Sequence, residues 1–519
     1  MVIRAGISGS RPGWELLLEQ EGVPFAALAG DYSPDSWSVV VAGAGSGGRA
    51  EEEGLRAYVS GGGSLLCSAA ILERIFAIRS RRKFIRYLLP APDPVYAGCG
   101  LVDIFAECAV PEGAAVLPDN DGQPTVFVGS IGKGTVVGLP FDPSILMSDF
   151  RTGTKSFFAG GRSRRFPYER VSLVSRAGIR RVVCASLGLL HHRRSLPFVR
   201  LWRFPSSEPS VFGFRVDTDG GTWGREEALH RLASEYGVPL TWFIDVLTQE
   251  GHLDRLRELP GHVFGLHCYR HERFSGFADT RDDIGRGSEV LRNHRLDVEG
   301  FAAPYGSWNE GIARAIDGHG FEYSSEFSYD YDNLPSLPVI GSVRLKAMQV
   351  PVHPISIGNL RRQGLRGSEM KTYFLNLVRE RVHLREPIFL YHHPNDENLE
   401  VVDAVFAEIA ERGIRAISLG EFERWWRRRV MCMPQIHVEG GELRTGDAPG
   451  TPEELTLHLT MPDGSEAFAP LGAPVTLRDL RWAPGPEPLP APSGLALTRK
   501  FNPWIAINRV EDTLMRWLR

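Results

Sequence analysis

Apolar and polar positions change their period several times along the chain, and the changes divide it into units. Between Val2 and Ala70, short apolar runs ("VIRAGI", "PFAALAG", "WSVVVAGAG", "SLLCSAA") alternate with stretches of helical spacing ("PGWELLLEQEG", "EEEGLRAYVSGGG"). This alternation predicts a layered α/β unit, which the hairpin-like "GSIGKGTVVGLPFD" closes near residue 150. Strand-helix alternation resumes at about residue 209. Val211 to Val216 reads as a buried strand, "REEALHRLASEYG" as an amphipathic helix, Leu240 to Val246 as a second strand, and the run into "FGLHCYRHERF" as a third. After about residue 430 the period drops to two around a Pro-Asp-Gly turn, which predicts a small antiparallel sheet. The Pro-rich "APGPEPLPAPSG" then reads as a semi-rigid spacer. A terminal helix follows, with Ile507, Val510, Leu514 and Trp517 on one stripe; docking on its own protein is favoured over an interfacial membrane contact or an oligomer contact.

Chemistry collects where apolar runs end. The first strand of the central unit runs into Asp217 and Asp219, although acidic residues are poor strand formers, and Gly220-Gly221 then breaks it. A turn or helix cap is the plainer explanation of this pair. The third strand runs into His267 and His271, spaced four residues apart. Two histidines and a carboxylate suit zinc and similar divalent metals. Other histidines fall in helical stretches, His230, His191, His192 and His383 among them, and are expected to be solvated or satisfied in the core.

The order of these motifs, a strand ending in D-x-D, a helix, a second strand and a strand ending in H-x-x-x-H, resembles the polysaccharide deacetylase family, also called the NodB-homology or carbohydrate esterase family 4 domain. The resemblance covers roughly residues 209 to 430. It implies that Asp217 is a catalytic base and that Asp219, His267 and His271 hold a divalent metal, zinc by preference, with cobalt, nickel, manganese or iron as alternatives. A later family motif, Arg, a small residue, Pro and an aromatic, is matched by "GFAAPYGSWN" at Pro304, Tyr305 and Gly306, but Ala302 stands where the family has arginine. That arginine pairs with the catalytic aspartate, so its loss implies a base of higher pKa and less fixed geometry. Arg215 and Arg270 are the arginines that could replace it from another direction. The last motif, a histidine ending a late strand, is matched by "PIFLYHHPND", which makes His392 or His393 the general acid.

The implied reaction is metal-assisted deacetylation. Asp217 takes a proton from water, the Tyr305 backbone N–H helps to stabilise the oxyanion, and the distal histidine protonates the leaving amine. The expected substrate is an acetylated amino sugar or a related amide, with a phosphate-linked sugar among the forms considered. The alternative is a catalytically weakened deacetylase fold serving as a binding or scaffold protein, or a deacylase for a non-sugar amide.

Composition adjusts this picture without overturning it. A chain of 519 residues, 43% hydrophobic and 24% charged, is globular and large enough for about three domains. The expected division is an α/β unit (1–150), a basic connector (151–208), a distorted (β/α) barrel of deacetylase type (209–430) and a β-rich region with a terminal helix (431–519). The first unit resembles the flavodoxin-like glutamine-amidotransferase fold through "LRAYVSGGGSLLC", but Leu66 and Ser68 replace the glycines that a nucleophile elbow needs, so Cys67 is expected to be structural. The connector holds 13 Lys or Arg against 2 acidic residues, within a chain of net charge −4. A neighbouring acidic region is favoured as its partner over phosphate groups or a membrane surface, and nucleic acid is not expected. The six cysteines lack C-x-x-C spacing, the N-terminus lacks a signal-peptide pattern and no apolar run approaches 18 residues, so a cytoplasmic protein is expected, with a homo-oligomer left open.

Overall fold

In the computed structural model, residues 10–11, 44, 46, 92, 159–165, 447–453, 488–493, 508–509 and 511–519 are not described, and all others are. The central part of the chain forms an eight-stranded sheet. Its order is Met348–Gln349, Tyr323–Ser324, Val298–Phe301, Val263–Cys268, Leu240–Asp245, Val211–Asp217 and Ile388–His392, with Arg415–Ala416 also pairing Val211–Asp217. All these pairings are parallel. The sheet curls until its ends approach: His353, just beyond one edge strand, donates its N–H to Phe389 O on the other at 2.9 Å.

Both faces of this sheet are covered, which is why Val211–Asp217 reads as a continuous apolar run. On the outer face Phe212, Phe214, Val216, Trp242 and Leu266 pack with Leu229, Ile284, Phe374 and Phe406 of the surrounding helices. On the inner face Phe243, Tyr323, Phe389 and Tyr391 fill the curl. Rings of this size fit because neighbouring strands present glycine. A Cβ on Gly265 would stand 2.5 Å from the Phe243 ring, and one on Gly213 2.7 Å from Phe389.

The N-terminal region forms a second sheet, in the order Phe25–Ala27, Ala5–Ser8, Val39–Ala42, Ser64–Ser68, Gly134–Leu139, Pro124–Ile131, Val116–Pro118. Its first five strands are parallel and the last two pairings antiparallel, the second-to-last being the hairpin expected from "GSIGKGTVVG". The stretch 151–208 is woven into its neighbours. Helix Arg176–His192 buries Ile179, Val182, Val183, Leu187 and Leu190 in the N-terminal core, and Phe198–Leu201 pairs with Thr456–Thr460 near the C-terminus.

Among the described residues of that stretch, much of the positive charge meets carboxylates of its neighbours. Arg180 bridges the buried carboxylates of Glu21 (2.5 Å) and Glu386; Arg203 reaches the same two at 3.0 and 3.5 Å, and Arg181 lies 3.4 Å from Glu386. Arg200 also pairs with Glu21. Breaking such a buried network by removing one partner costs about 3–5 kcal/mol, because a charge is left without compensation.

The C-terminal region holds two small antiparallel sheets where one was expected. Ile436–Glu439 turns through Gly440 and Gly441, both of positive φ, into Glu442–Thr445, while Thr456–Thr460 and Ser465–Pro470 pair around Asp463 and Gly464. They stay apart because Thr456–Thr460 takes Phe198–Leu201 as its other neighbour. Of the terminal stripe, Ile507 and Val510 are exposed, and Leu514 and Trp517 lie outside the described residues. Among the described residues no helix is long and apolar enough to cross a membrane.

Candidate metal and acyl-transfer site

The carboxyl ends of the curled sheet bring six residues named from the sequence into one place: Asp217, Asp219, His267, His271, Tyr305 and His393. Asp217 is the last residue of its strand and is buried. Arg215 grips it with two parallel hydrogen bonds, Nε to Oδ1 at 2.6 Å and Nη2 to Oδ2 at 2.7 Å. The guanidinium also donates to Ser325 O and lies 5.1 Å from the Phe243 ring and 5.6 Å from the Tyr391 ring. Burial, the largest single influence, pushes the Asp217 carboxyl up, but the Arg215 charge and hydrogen bonds together with His267 and His393 outweigh it and hold the group below the usual range.

This corrects the expectation, drawn from Ala302, of a base without a charge partner. Residues i and i+2 of a strand share a face, so an arginine two positions before the aspartate reaches the carboxylate from within its own strand. Ala302 contributes its backbone instead: its carbonyl accepts the Nδ1–H of His267 at 2.6 Å.

That hydrogen bond fixes the His267 tautomer and turns Nε2 towards Asp219. His267 Nε2 lies 3.7 Å from Asp219 Oδ1, and His271 Nε2 lies 3.8 Å from Asp219 Oδ2. These separations are too long for hydrogen bonds. Donor atoms around a tetrahedral zinc at about 2.0–2.2 Å stand roughly 3.3–3.6 Å apart, close to what is found here. Asp219 Oδ1 is buried and has no hydrogen-bond partner, which fits a group that holds a cation. Burial pushes the His267 imidazole down to about 4, so it is neutral at physiological pH, as a ligand must be. A second grouping of Asp217, Asp219 and His393 is also close enough to hold an ion, but Arg215 already occupies both Asp217 oxygens. The loop between the ligands is pinned by Thr218, whose Oγ1 accepts the Asp245 N–H at 2.9 Å, and by Gly220 at φ +64, a conformation that favours glycine.

The two candidate acids separate cleanly. His393 points into the site with Nε2 3.6 Å from Asp219 Oδ1, and its Nδ1 bonds Asp396 Oδ2 at 3.0 Å. Burial opposes its charge, but Asp219, Asp396 and Asp217 together push it up to about 9, so it carries its proton at neutral pH. His392 points the other way, into an apolar pocket with Phe214, Ile357, Phe374 and Val401, and its Nδ1 has no partner. Strand alternation sends neighbours to opposite faces, which removes His392 from the site.

Asp396 was not foreseen. Its carboxyl is held far below the usual range, burial opposing and the His393 contact and the Gly358 N–H favouring the charge. The only signal for it was an acid three residues after the histidine in a Pro-containing turn. Tyr305 sits at φ 60 between Pro304 and Gly306, with its ring 4.9 Å from that of His271 and 40% exposed.

No family model and no curated protein matches the chain. Among solved structures it is similar to a protein described as a polysaccharide deacetylase from Mycobacterium smegmatis, at 17% identity and a TM-score of 0.38 over 43% of this chain and 92% of that one. It is also similar to a family 4 carbohydrate esterase from Streptomyces lividans in complex with acetate (14% identity, TM-score 0.30, 40% and 93% covered). A third likeness is to a carbohydrate esterase family 4 pseudoenzyme from Bacillus anthracis (14%, 0.30, 42% and 66%).

Proposed function

We propose that the chain is a metal-dependent hydrolase that removes an N-acetyl or similar acyl group from a substrate containing an amino sugar. The observation that carries this reading is the joint arrangement of three donor groups, one of them offering a buried Asp219 oxygen without a hydrogen-bond partner, beside an Arg-held carboxylate and an Asp-held imidazolium. Asp219, His267 and His271 would hold the ion; the donor set suits zinc, with cobalt, nickel, manganese or iron as alternatives. When bound, such an ion supplies Lewis acidity, which lowers the pKa of water and polarises a carbonyl.

The chain's own residues do the proton work. Asp217, kept ionised by Arg215, accepts a proton from the attacking water as the new C–O bond forms. His393, kept protonated by Asp396 and its acidic neighbours, gives its proton to the nitrogen as the C–N bond breaks, releasing carboxylate and amine. The backbone N–H of Tyr305 is assigned to the developing oxyanion. On this reading residues 209–430 are the catalytic unit. The N-terminal sheet, whose strand order begins as in flavodoxin-like folds, is a non-catalytic amidotransferase-like unit. A cytoplasmic location rests on the six unpaired cysteines.

The competing reading, a weakened fold used as a scaffold, drew its support from Ala302, and Arg215 removes that support. Elemental analysis of wild type, His267→Ala and Asp219→Ala tests the proposal. It expects one equivalent of metal in the wild type, lost in both variants, and acetate release from N-acetylated amino sugars only by the loaded wild type. Wild type that takes up no metal from a zinc-containing buffer overturns it.

A further inference from the structure

Arg273 follows the second histidine of the H-x-x-x-H motif by two residues and lies outside every role assigned above. Its guanidinium sits 4.9 Å from the centre of the Tyr305 ring, whose own centre is 4.9 Å from the His271 ring. Arg273 is exposed, and no carboxylate lies within ion-pair distance of it among the described residues. Its charge is felt by Glu169, from the hairpin Thr152–Ser156/Tyr168–Ser172. Both Glu169 oxygens are engaged, one by the Arg170 N–H at 2.8 Å and the other by Asn359 Nδ2 at 3.1 Å.

A planar cation stacked on an aromatic ring is held in place through its face, which leaves its edge of N–H donors free for a ligand. Tyr305 is itself fixed in the left-handed region, where a non-glycine residue costs of order 1–3 kcal/mol and persists only when its surroundings determine it. The result is a positively charged lip beside one of the proposed metal ligands.

We infer that Arg273, stacked on Tyr305, is a specificity residue that binds an anionic oxygen group, carboxylate or phosphate, carried by the substrate next to the acyl group to be removed. This deepens the proposed function and rests on it. Guanidinium pairs bidentately with either anion, so the geometry selects acidic over neutral N-acylated sugars.

The test compares wild type, Arg273→Gln and Arg273→Lys, all metal-loaded, on three probes: a neutral N-acetylglucosamine oligomer, an N-acetylated sugar bearing a carboxylate, and N-acetylglucosamine 1-phosphate. The expected result is at least tenfold higher kcat/KM for one acidic probe over the neutral one in wild type. Arg273→Gln should raise KM for that probe about tenfold with kcat nearly unchanged, Arg273→Lys should fall between, and the neutral probe should be unaffected. Which acidic probe responds identifies the anion. Equal losses on neutral and acidic probes, or a preference that survives Arg273→Gln, overturn the inference. If wild type hydrolyses none of the probes, the deacylase reading has failed. Calorimetric titration with inorganic phosphate then decides the lip separately: a Kd raised about tenfold by Arg273→Gln supports it, and an unchanged Kd overturns it.

Discussion

Two sheets in this molecule, one wholly parallel and one parallel over its first five strands, end strands in residues that carry chemistry, and they differ in what surrounds those residues. Cys67 lies near the carboxyl end of Ser64–Ser68, at the junction with helix Ala69–Phe76, much as a nucleophile would. Yet it is packed among Val40, Val59, Leu65 and Leu72; burial and Asp142 push its thiol far up, and the backbone at Ser68 is ordinary extended chain without strain. At the corresponding edge of the other sheet the buried groups have arranged partners: Arg215 for Asp217, Asp396 for His393 and the Ala302 carbonyl for His267. A place at a strand end is therefore common to both. What distinguishes a site is that the surroundings stabilise the charge state its chemistry needs and gather several donor atoms, Asp219 Oδ1 among them, within reach of one ion.

The comparison breaks most readily at Asp217 and His393. Asp217→Asn is expected to lower kcat by about 10²–10⁴-fold while the metal content stays at the wild-type value, since the general base is lost and the ligands remain. His393→Ala should fall in the same range, whereas His392→Leu should retain activity within about twofold, because it fills an apolar pocket with an apolar group. Equal damage from both histidine variants would undo the division between them.

Arg215→Met should cost about 3–5 kcal/mol in denaturant unfolding, the scale for orphaning a buried charge, with a loss of kcat alongside. Adding Ala302→Arg to that variant puts a cation where the deacetylase pattern has one. Partial recovery of kcat would show that the carboxylate needs a guanidinium and tolerates its arrival from either strand. Asp396→Asn should lower kcat about 10–100-fold, the scale for outer partners that orient a catalytic or ligating group. The smallest effect is expected at the other sheet: Cys67→Ala should cost roughly 1 kcal/mol and leave hydrolysis unchanged, and a lost activity there would reopen that edge as a site.

Much of the central unit was legible because its periods are strong. The apolar runs at Val211 and Leu240 could be assigned with their ends, and Asp217, Asp219, His267 and His271 stand out as polar residues terminating them. The choice between His392 and His393 was not legible, since two adjacent histidines differ only in which face of the strand they take. Asp396 was missed for a related reason: a turn residue carries no periodicity, and its partner is chosen in space. The basic stretch at 151–208 looked like a connector because its counter-charges, Glu21 and Glu386, lie more than a hundred residues away in the chain.

Local physics thus determined from the sequence alone several of the strands, Val211–Asp217, Leu240–Asp245 and Val263–Cys268 among them, and which donor atoms stand at or just beyond their ends, because side-chain period and turn chemistry act over a few residues. The tertiary structure decided the electrostatics. Whether Asp217 has a cation beside it and which histidine carries a proton depend on which way side chains only two or three residues apart turn in the folded chain, and where buried Arg180 finds its carboxylate depends on a Coulomb interaction between groups far apart in sequence and a few ångströms apart in space.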